Sequence, residues 1–258
     1  MLMNNKIGIT LSGGGFRGIA HLGVLQYMSE IGIKPDEISG TSAGALAGAF
    51  IAEGYTPEEI LRFCKEEDFF NYSDIAPSTS GFFSGAIFEK VVRKYIPHDS
   101  FEGLKMPLYV SVTDLTNAKA LVFKQGCLSF AIKASCSFPL VFQPVVYDED
   151  TYLCDGGILN NFPVEQVRNS CNKVIGINVN PIYKHNGVFS YKDIVARIIR
   201  ITTSRVSVAP ESACDVYLQP EELKNYGTFD TDKIDELFHL GYQYALKFEN
   251  EFTKLKNE

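Results

Sequence analysis

The chain has 258 residues and carries 24 basic against 31 acidic side chains, a formal net charge of −7. Its 45% hydrophobic and 21% charged residues match soluble globular proteins, and a chain this long buries a core without disulfide or metal staples. Disorder, collagen-like repeats and stapled mini-proteins are excluded. The acidic balance also argues against a general nucleic-acid or anionic-membrane binder, leaving room only for a local basic patch.

Lys6–Leu11 is a short apolar run that ends in Ser12-Gly13-Gly14-Gly15, a strand stopped by a turn. From Ile19 to Ile31 the apolar residues Ala20, Val24, Leu25, Met28 and Ile31 recur at helical steps, and Gly32 stands where a C-terminal cap belongs. A brief strand, Glu37–Ser39, leads through Gly40-Thr41-Ser42-Ala43-Gly44 into a buried helix, Ala43–Ala52. Thr56-Pro57-Glu58-Glu59 forms a capping box that opens a third helix. Asp68–Ser84 is irregular and aromatic, and a helix is expected over about Ala86–Tyr95.

Strands follow at Leu108–Thr113 and Ala120–Lys124, and again across Val145–Asp155, which the acidic turn Asp148–Asp150 breaks. Lys173–Val179 is a continuous apolar run, the pattern of a strand buried on both faces. A helix near Tyr191–Arg205, a short strand at Val216–Leu218 and one long helix from about Asp232 to Lys256 complete the chain. Strands alternating with helices predict a three-layer α/β/α fold with a mainly parallel central sheet. Without an internal repeat or low-complexity linker, residues 1–258 are expected to form one domain.

The six cysteines form no C-x-x-C pair and read as buried small hydrophobes in a reducing compartment. The N-terminus lacks the basic region, apolar core and cleavage site of a signal peptide. The longest apolar stretch, Ala43–Ala52, is about half of the roughly 20 residues that span a bilayer. A soluble, cytoplasmic protein is expected. Nothing in the sequence fixes its oligomeric state.

Gly13-Gly14-Gly15-Phe16-Arg17-Gly18 holds G-x-G-x-x-G between a strand and a helix, which fits two chemistries. One is a dinucleotide-binding turn, with Asp36 or Glu37 as the ribose acid. That acid should end the second strand, whereas here it precedes it. The other is an oxyanion hole, in which successive glycines aim backbone N–H groups at one spot beside a helix N-terminus. The loop alone does not decide between them.

Gly40-x-Ser42-x-Gly44 does. Serine between flanking glycines, after a strand and before a small-residue helix, is the pattern of a nucleophile elbow. Its base is less obvious. His185 lies in a polar loop, His239 within a helix, His21 after the glycine loop and His98 in a surface-like turn, none in a catalytic context. Asp155-Gly156-Gly157 ends a strand with a turn that the double glycine sharpens.

In this order, the glycine loop, the Ser42 elbow and Asp155-Gly156-Gly157 resemble the patatin-like phospholipases. Val112-Thr113-Asp114-Leu115, Ala134-Ser135 with Phe138-Pro139 and Phe142-x-Pro144, and Asn160-Asn161-Phe162-Pro163 resemble bacterial members. The resemblance covers roughly residues 6–180. It implies a serine acyl hydrolase acting on lipid esters through a Ser42–Asp155 dyad without histidine. Gly13, Gly14 and Gly15 would form the oxyanion hole, and Gly40, Gly44, Gly156 and Gly157 would shape the turns. Arg17 is expected to brace the loop or meet an anionic headgroup, and Asn160 and Asn161 to fix the turn after Asp155.

No cofactor, metal or nucleic-acid partner is expected. The partner is a lipid, with transient membrane contact made through apolar side chains. Phe69, Phe70, Tyr72, Phe82 and Phe83 would form either a lid or ordinary aromatic packing. A non-catalytic module binding lipid, dinucleotide or phosphate is the alternative.

Overall fold

The computed structural model describes residues 6–67, 83–184, 188–204, 210–228 and 230–257. Strand β1 (Ile7–Leu11) lies between two parallel neighbours, β2 (Glu37–Thr41) and β7 (Lys173–Ile177). β3 (Leu108–Asp114) extends the sheet beyond β2, and β8 (Val216–Leu218) extends it beyond β7. The parallel core therefore runs β8-β7-β1-β2-β3. β4 (Lys119–Phe123) and β6 (Tyr152–Asp155) pair antiparallel with β3, and β5 (Val145–Val146) pairs with β6.

The parallel strands bury side chains on both faces of the sheet, because successive side chains alternate across it. Ile9, Leu11, Ile38, Val110 and Ile177 enter one apolar cluster. Val174, with the partly buried Tyr109 and Tyr217, enters a second cluster around Phe162, Val164 and Val167. The first cluster is covered by α1 (Ile19–Glu30), α2 (Ala43–Glu53), α4 (Ala86–Tyr95), α5 (Leu128–Cys136) and α9 (Ile234–Leu246). The second is covered by α6 (Val164–Arg168) and α8 (Pro210–Ala213). This is the expected α/β/α arrangement. The remaining helices are α3 (Pro57–Glu66), α7 (Tyr191–Ser204) and α10 (Glu249–Asn257).

The expected capping box is formed, with Thr56 Oγ1 accepting from the Glu59 amide and the Glu59 carboxylate from the Thr56 amide. Two elements differ from expectation. The single C-terminal helix is divided at Lys247–Phe248, whose amides donate three residues back to Tyr244 and Ala245 and tighten the end of α9. The break lets α10 bury Phe252 completely, 6.0 Å from the Tyr27 ring. Helix α5 was not anticipated, because seven of its nine residues are buried and it has no polar face to set a helical period. Among the cysteines, Cys136, Cys154 and Cys171 are buried as expected, but Cys127 is exposed.

One feature of the sheet places the site. β4 occupies one edge of β3 along Val110–Asp114, so β2 and β6 share the other edge. They approach in opposite directions, and their C-terminal ends meet. Thr41 pairs with Ser111 and Asp155 with the next residue, Val112. Whatever follows Thr41 must therefore turn out of the sheet beside Asp155.

Candidate active site

Ser42 makes that turn. It links β2 to α2 with φ 53° and ψ −123°, a left-handed conformation rare for a residue with a side chain. Holding it costs about 1–3 kcal/mol, which the surroundings must over-determine. The flanking glycines are required by close approach. A methyl at Gly44 would lie 2.4 Å from the Leu11 carbonyl oxygen, and one at Gly40 would lie 2.6 Å from the Gly44 backbone. The Ser42 amide donates to Ser135 Oγ at 2.8 Å, and Ser135 Oγ donates to the Ser111 carbonyl at 2.7 Å. These bonds tie the elbow to β3 through α5. Ser42 also stands at the N-terminus of α2, where the helix dipole favours negative charge.

Asp155 is 3% exposed and lines one cavity with Ser42. The Gly157 amide donates to its Oδ1 at 2.7 Å. Burial pushes the Asp155 carboxyl up from 3.8 to about 7, and the neighbouring Ser42 hydroxyl and Gly157 amide oppose it only in part. The Cys136 thiol, buried at the end of α5, lies on the wall of the same cavity as Ser42.

The glycine loop closes the site from the β1 side. The Gly13 amide donates to the Asn161 carbonyl at 3.3 Å and the Phe16 amide to the Thr228 carbonyl at 2.9 Å. Among the described residues nothing accepts from the amides of Gly14 and Gly15, both on the cavity wall. Arg17 is buried and braces the loop. Its Nε donates to the Gly14 carbonyl at 3.4 Å and its Nη2 to Asn180 Oδ1 at 2.7 Å. Asn180 Nδ2 donates in turn to the Gly13 carbonyl at 2.5 Å.

Several of these supports escaped the sequence reading. Ser12 Oγ donates to the Gly13 carbonyl and accepts from the Val179 amide, both at 3.0 Å. Asn180 stands just past β7 in Asn178-Val179-Asn180-Pro181, a turn signal that marks the strand end. Asn160 does form the expected Asx bond, accepting from the Phe162 amide at 3.3 Å. It also does more, because its carbonyl accepts from Thr41 Oγ1 at 3.0 Å and Ser111 Oγ at 2.9 Å, clamping β2 to β3 below the elbow.

Ser42, Asp155 and the glycine loop open into one cavity of about 440 Å³, a size typical of small-ligand sites. Leu22, Leu46, Phe50, Ile60, Phe88 and Phe142 give it a long apolar wall, and Arg17, Arg197, Arg200 and Tyr183 form a cationic part. None of the described histidines lines it. His21 is buried with Nε2 donating to the Ser12 carbonyl at 2.8 Å, and burial lowers its pKa to about 4, so it is neutral. His98 pairs with Glu53, and His239 is exposed on α9. His185 lies outside the described residues, as do Phe69, Phe70, Tyr72 and Phe82. Phe83 is described, and it packs against Phe142 with ring centroids 5.9 Å apart. Glu37, one of the two candidate ribose acids, begins β2 and is taken up by Lys6, Tyr109 and Ser170. Asp36 Oδ2 accepts from the Ile7 amide at 2.7 Å, at the start of β1.

A sheet with a strained serine between a parallel strand and a buried helix, facing a buried carboxyl and a glycine loop, defines an α/β protein of the nucleophile-elbow class. Residues 9–168 match the family model described as patatin-like phospholipase, and the chain belongs to that family. Lysophospholipase NTE1 of Scheffersomyces stipitis is 26% identical, with 98% of this chain matching 18% of that protein. Patatin-like phospholipase domain-containing protein 7 of Rattus norvegicus is 29% identical, with 95% of this chain matching 20% of it. The chain thus spans about a fifth of the length of these relatives. Among solved structures it shares its fold with VipD from Legionella pneumophila (TM-score 0.55, 13% identity, 97% of this chain and 67% of that one). It shares it equally with human GIVD cytosolic phospholipase A2 (TM-score 0.55, 10% identity, 98% and 63%).

Proposed function

We propose that this chain is a serine acyl hydrolase that cleaves carboxylic esters of lipids, phospholipid or lysophospholipid, by a Ser42–Asp155 dyad. The observation that carries the reading is the strained Ser42 elbow, which leaves β2 at the register position of β3 next to that of the buried Asp155 and shares an apolar cavity with it. Ser42 Oγ attacks the ester carbonyl and Asp155 takes its proton. The oxyanion is held by the glycine loop, where the unengaged amides of Gly14 and Gly15 are the donors and Gly13 fixes the loop. Collapse breaks the carbon–oxygen bond to the alcohol, which leaves with the proton from Asp155. Water then attacks the acyl-enzyme, Asp155 accepts its proton, and Ser42 recovers that proton as the fatty acid departs.

An ordinary aspartate is too weak a base for this work. A carboxyl raised to about 7 is matched to neutral pH. The apolar wall suits an acyl chain. No cofactor enters the scheme. Residues 1–258 are taken as one catalytic domain with a cytoplasmic setting. No helix among the described residues is long and apolar enough to cross a membrane. Contact with a lipid surface is assigned to exposed apolar side chains such as Ile194, Ile198 and Ile201 of α7. The test is an alkyl fluorophosphonate. Labelling at Ser42 with hydrolysis of a lipid ester supports the enzyme, and folded protein that takes no label supports the non-catalytic binding module.

A further inference from the structure

A chain of net charge −7 gathers three arginines, Arg17, Arg197 and Arg200, on the wall of its catalytic cavity. Among the described residues lining that cavity, the only carboxylate is that of Asp155. Arg197 and Arg200 stand three residues apart on α7, close to one turn, so they project from one face. Both guanidinium groups lie over the ring of Tyr183, 5.6 and 4.7 Å from its centroid. The negative π face of that ring lets two cations share the space.

The cations also act on one another. Burial and Arg200 together hold Arg17 down to about 9, and burial and Arg197 lower Arg200. Nη1 of Arg17 and Nη1 of Arg197 are buried without a hydrogen-bond partner. Like charges fixed together in a partly desolvated wall are stabilised by an anion, and the planar guanidinium fork matches phosphate oxygens best. Arg17 is already committed to Gly14 and Asn180. The pair on α7 is not part of the glycine loop, and it lies beyond the segment matched by the family model.

We propose that Arg197 and Arg200, held by Tyr183, form the subsite for the phosphate of a lipid headgroup and set a preference for phosphate-bearing lipid esters over neutral glycerides. The inference rests on the acyl-hydrolase reading of Ser42. Ser42, Arg17 and both arginines of α7 line one cavity. In a lysophospholipid only the glycerol backbone separates the ester carbonyl from the phosphate.

The test compares wild type with an Arg197→Gln/Arg200→Gln double variant and a charge-keeping Arg197→Lys/Arg200→Lys variant. The substrates are lysophosphatidic acid and the monoacylglycerol of the same chain, which differ only in the phosphate. The Gln pair is expected to lower the ratio of the two kcat/KM values by about 10- to 100-fold, mostly through KM, and the Lys pair to restore part of it. A parallel arm measures, by calorimetry on the intact chain, binding of glycerol phosphate and of inorganic phosphate, both expected to weaken in the Gln pair. An equal fall on both esters, or an unchanged ratio, overturns the subsite. Loss of inorganic phosphate binding with an unchanged ratio assigns the arginines to a free anion and overturns it as well. If wild type hydrolyses neither ester and takes no fluorophosphonate label at Ser42, the hydrolase reading fails, and the glycerol phosphate arm still decides whether the arginines bind phosphate.

Discussion

The two parts of the cavity are built by different means. Around Ser42 and Asp155 the backbone does the work. β3 acts as a ruler that brings two strand ends together at Ser111 and Val112, and glycines permit approaches that any side chain would block. In the cationic part, side chains of α7 and of the segment before it do the work, stacked on Tyr183. The first arrangement tolerates little substitution, because backbone placement cannot relax locally. The second can change its charge while the sheet stays intact. Under the proposed hydrolase reading, a reacting centre fixed by main chain stands beside a recognition surface made of side chains, so substrate preference can change without disturbing the chemistry.

The largest effects are expected at the main-chain centre. Ser42→Ala should reduce initial rates on a short-chain ester by at least about 10⁴-fold, since the residual activity of such sites comes only from binding and the oxyanion donors. Asp155→Asn should lower kcat by about 10²–10⁴-fold, the usual weight of a general base. Full activity in either folded variant would break the dyad.

The pH profile sharpens the same point. Asp155 accepts a proton only when ionised, so kcat/KM should rise with pH and level off above about 7. Between the ordinary value of 3.8 and about 7, the folded protein keeps a proton that the unfolded chain has released. Stability therefore falls as pH rises through this window. Asp155→Asn removes that loss, and should be the more stable protein above pH 7, by at most on the order of 4 kcal/mol in urea unfolding. A wild type whose stability is flat across this window would place the carboxyl in a wetter site.

Intermediate effects separate backbone from side-chain control. Gly44→Ala, whose added methyl meets the Leu11 carbonyl at 2.4 Å, should lower the urea midpoint by an amount worth about 1–3 kcal/mol. Leu46→Trp on the apolar wall should instead leave folding nearly intact and shift acyl preference to shorter chains, by roughly tenfold in kcat/KM. The smallest effect is expected from His239→Ala. This histidine is exposed on α9 and absent from the cavity wall, so activity should stay within about twofold of wild type. A folded but inactive His239→Ala would restore a histidine-based triad.

The sequence alone determined what local rules govern. Continuous apolar runs marked β1, stopped by Ser12-Gly13, and β7. The Thr56-Pro57-x-Glu59 box gave the start of α3, and Gly40-x-Ser42-x-Gly44 gave the elbow, because each depends on neighbours within one turn or one strand. The pairing of Ser42 with Asp155 could be named only through a family resemblance. The shared edge of β3 that brings them together is a long-range register that no local spacing encodes. The same holds for Asn180 reaching Gly13, for helix α5 buried nearly all round, and for the break that turns α10 onto Tyr27. Tertiary structure decided these, because desolvation, shared hydrogen bonds and charge clustering exist only between segments that folding brings together.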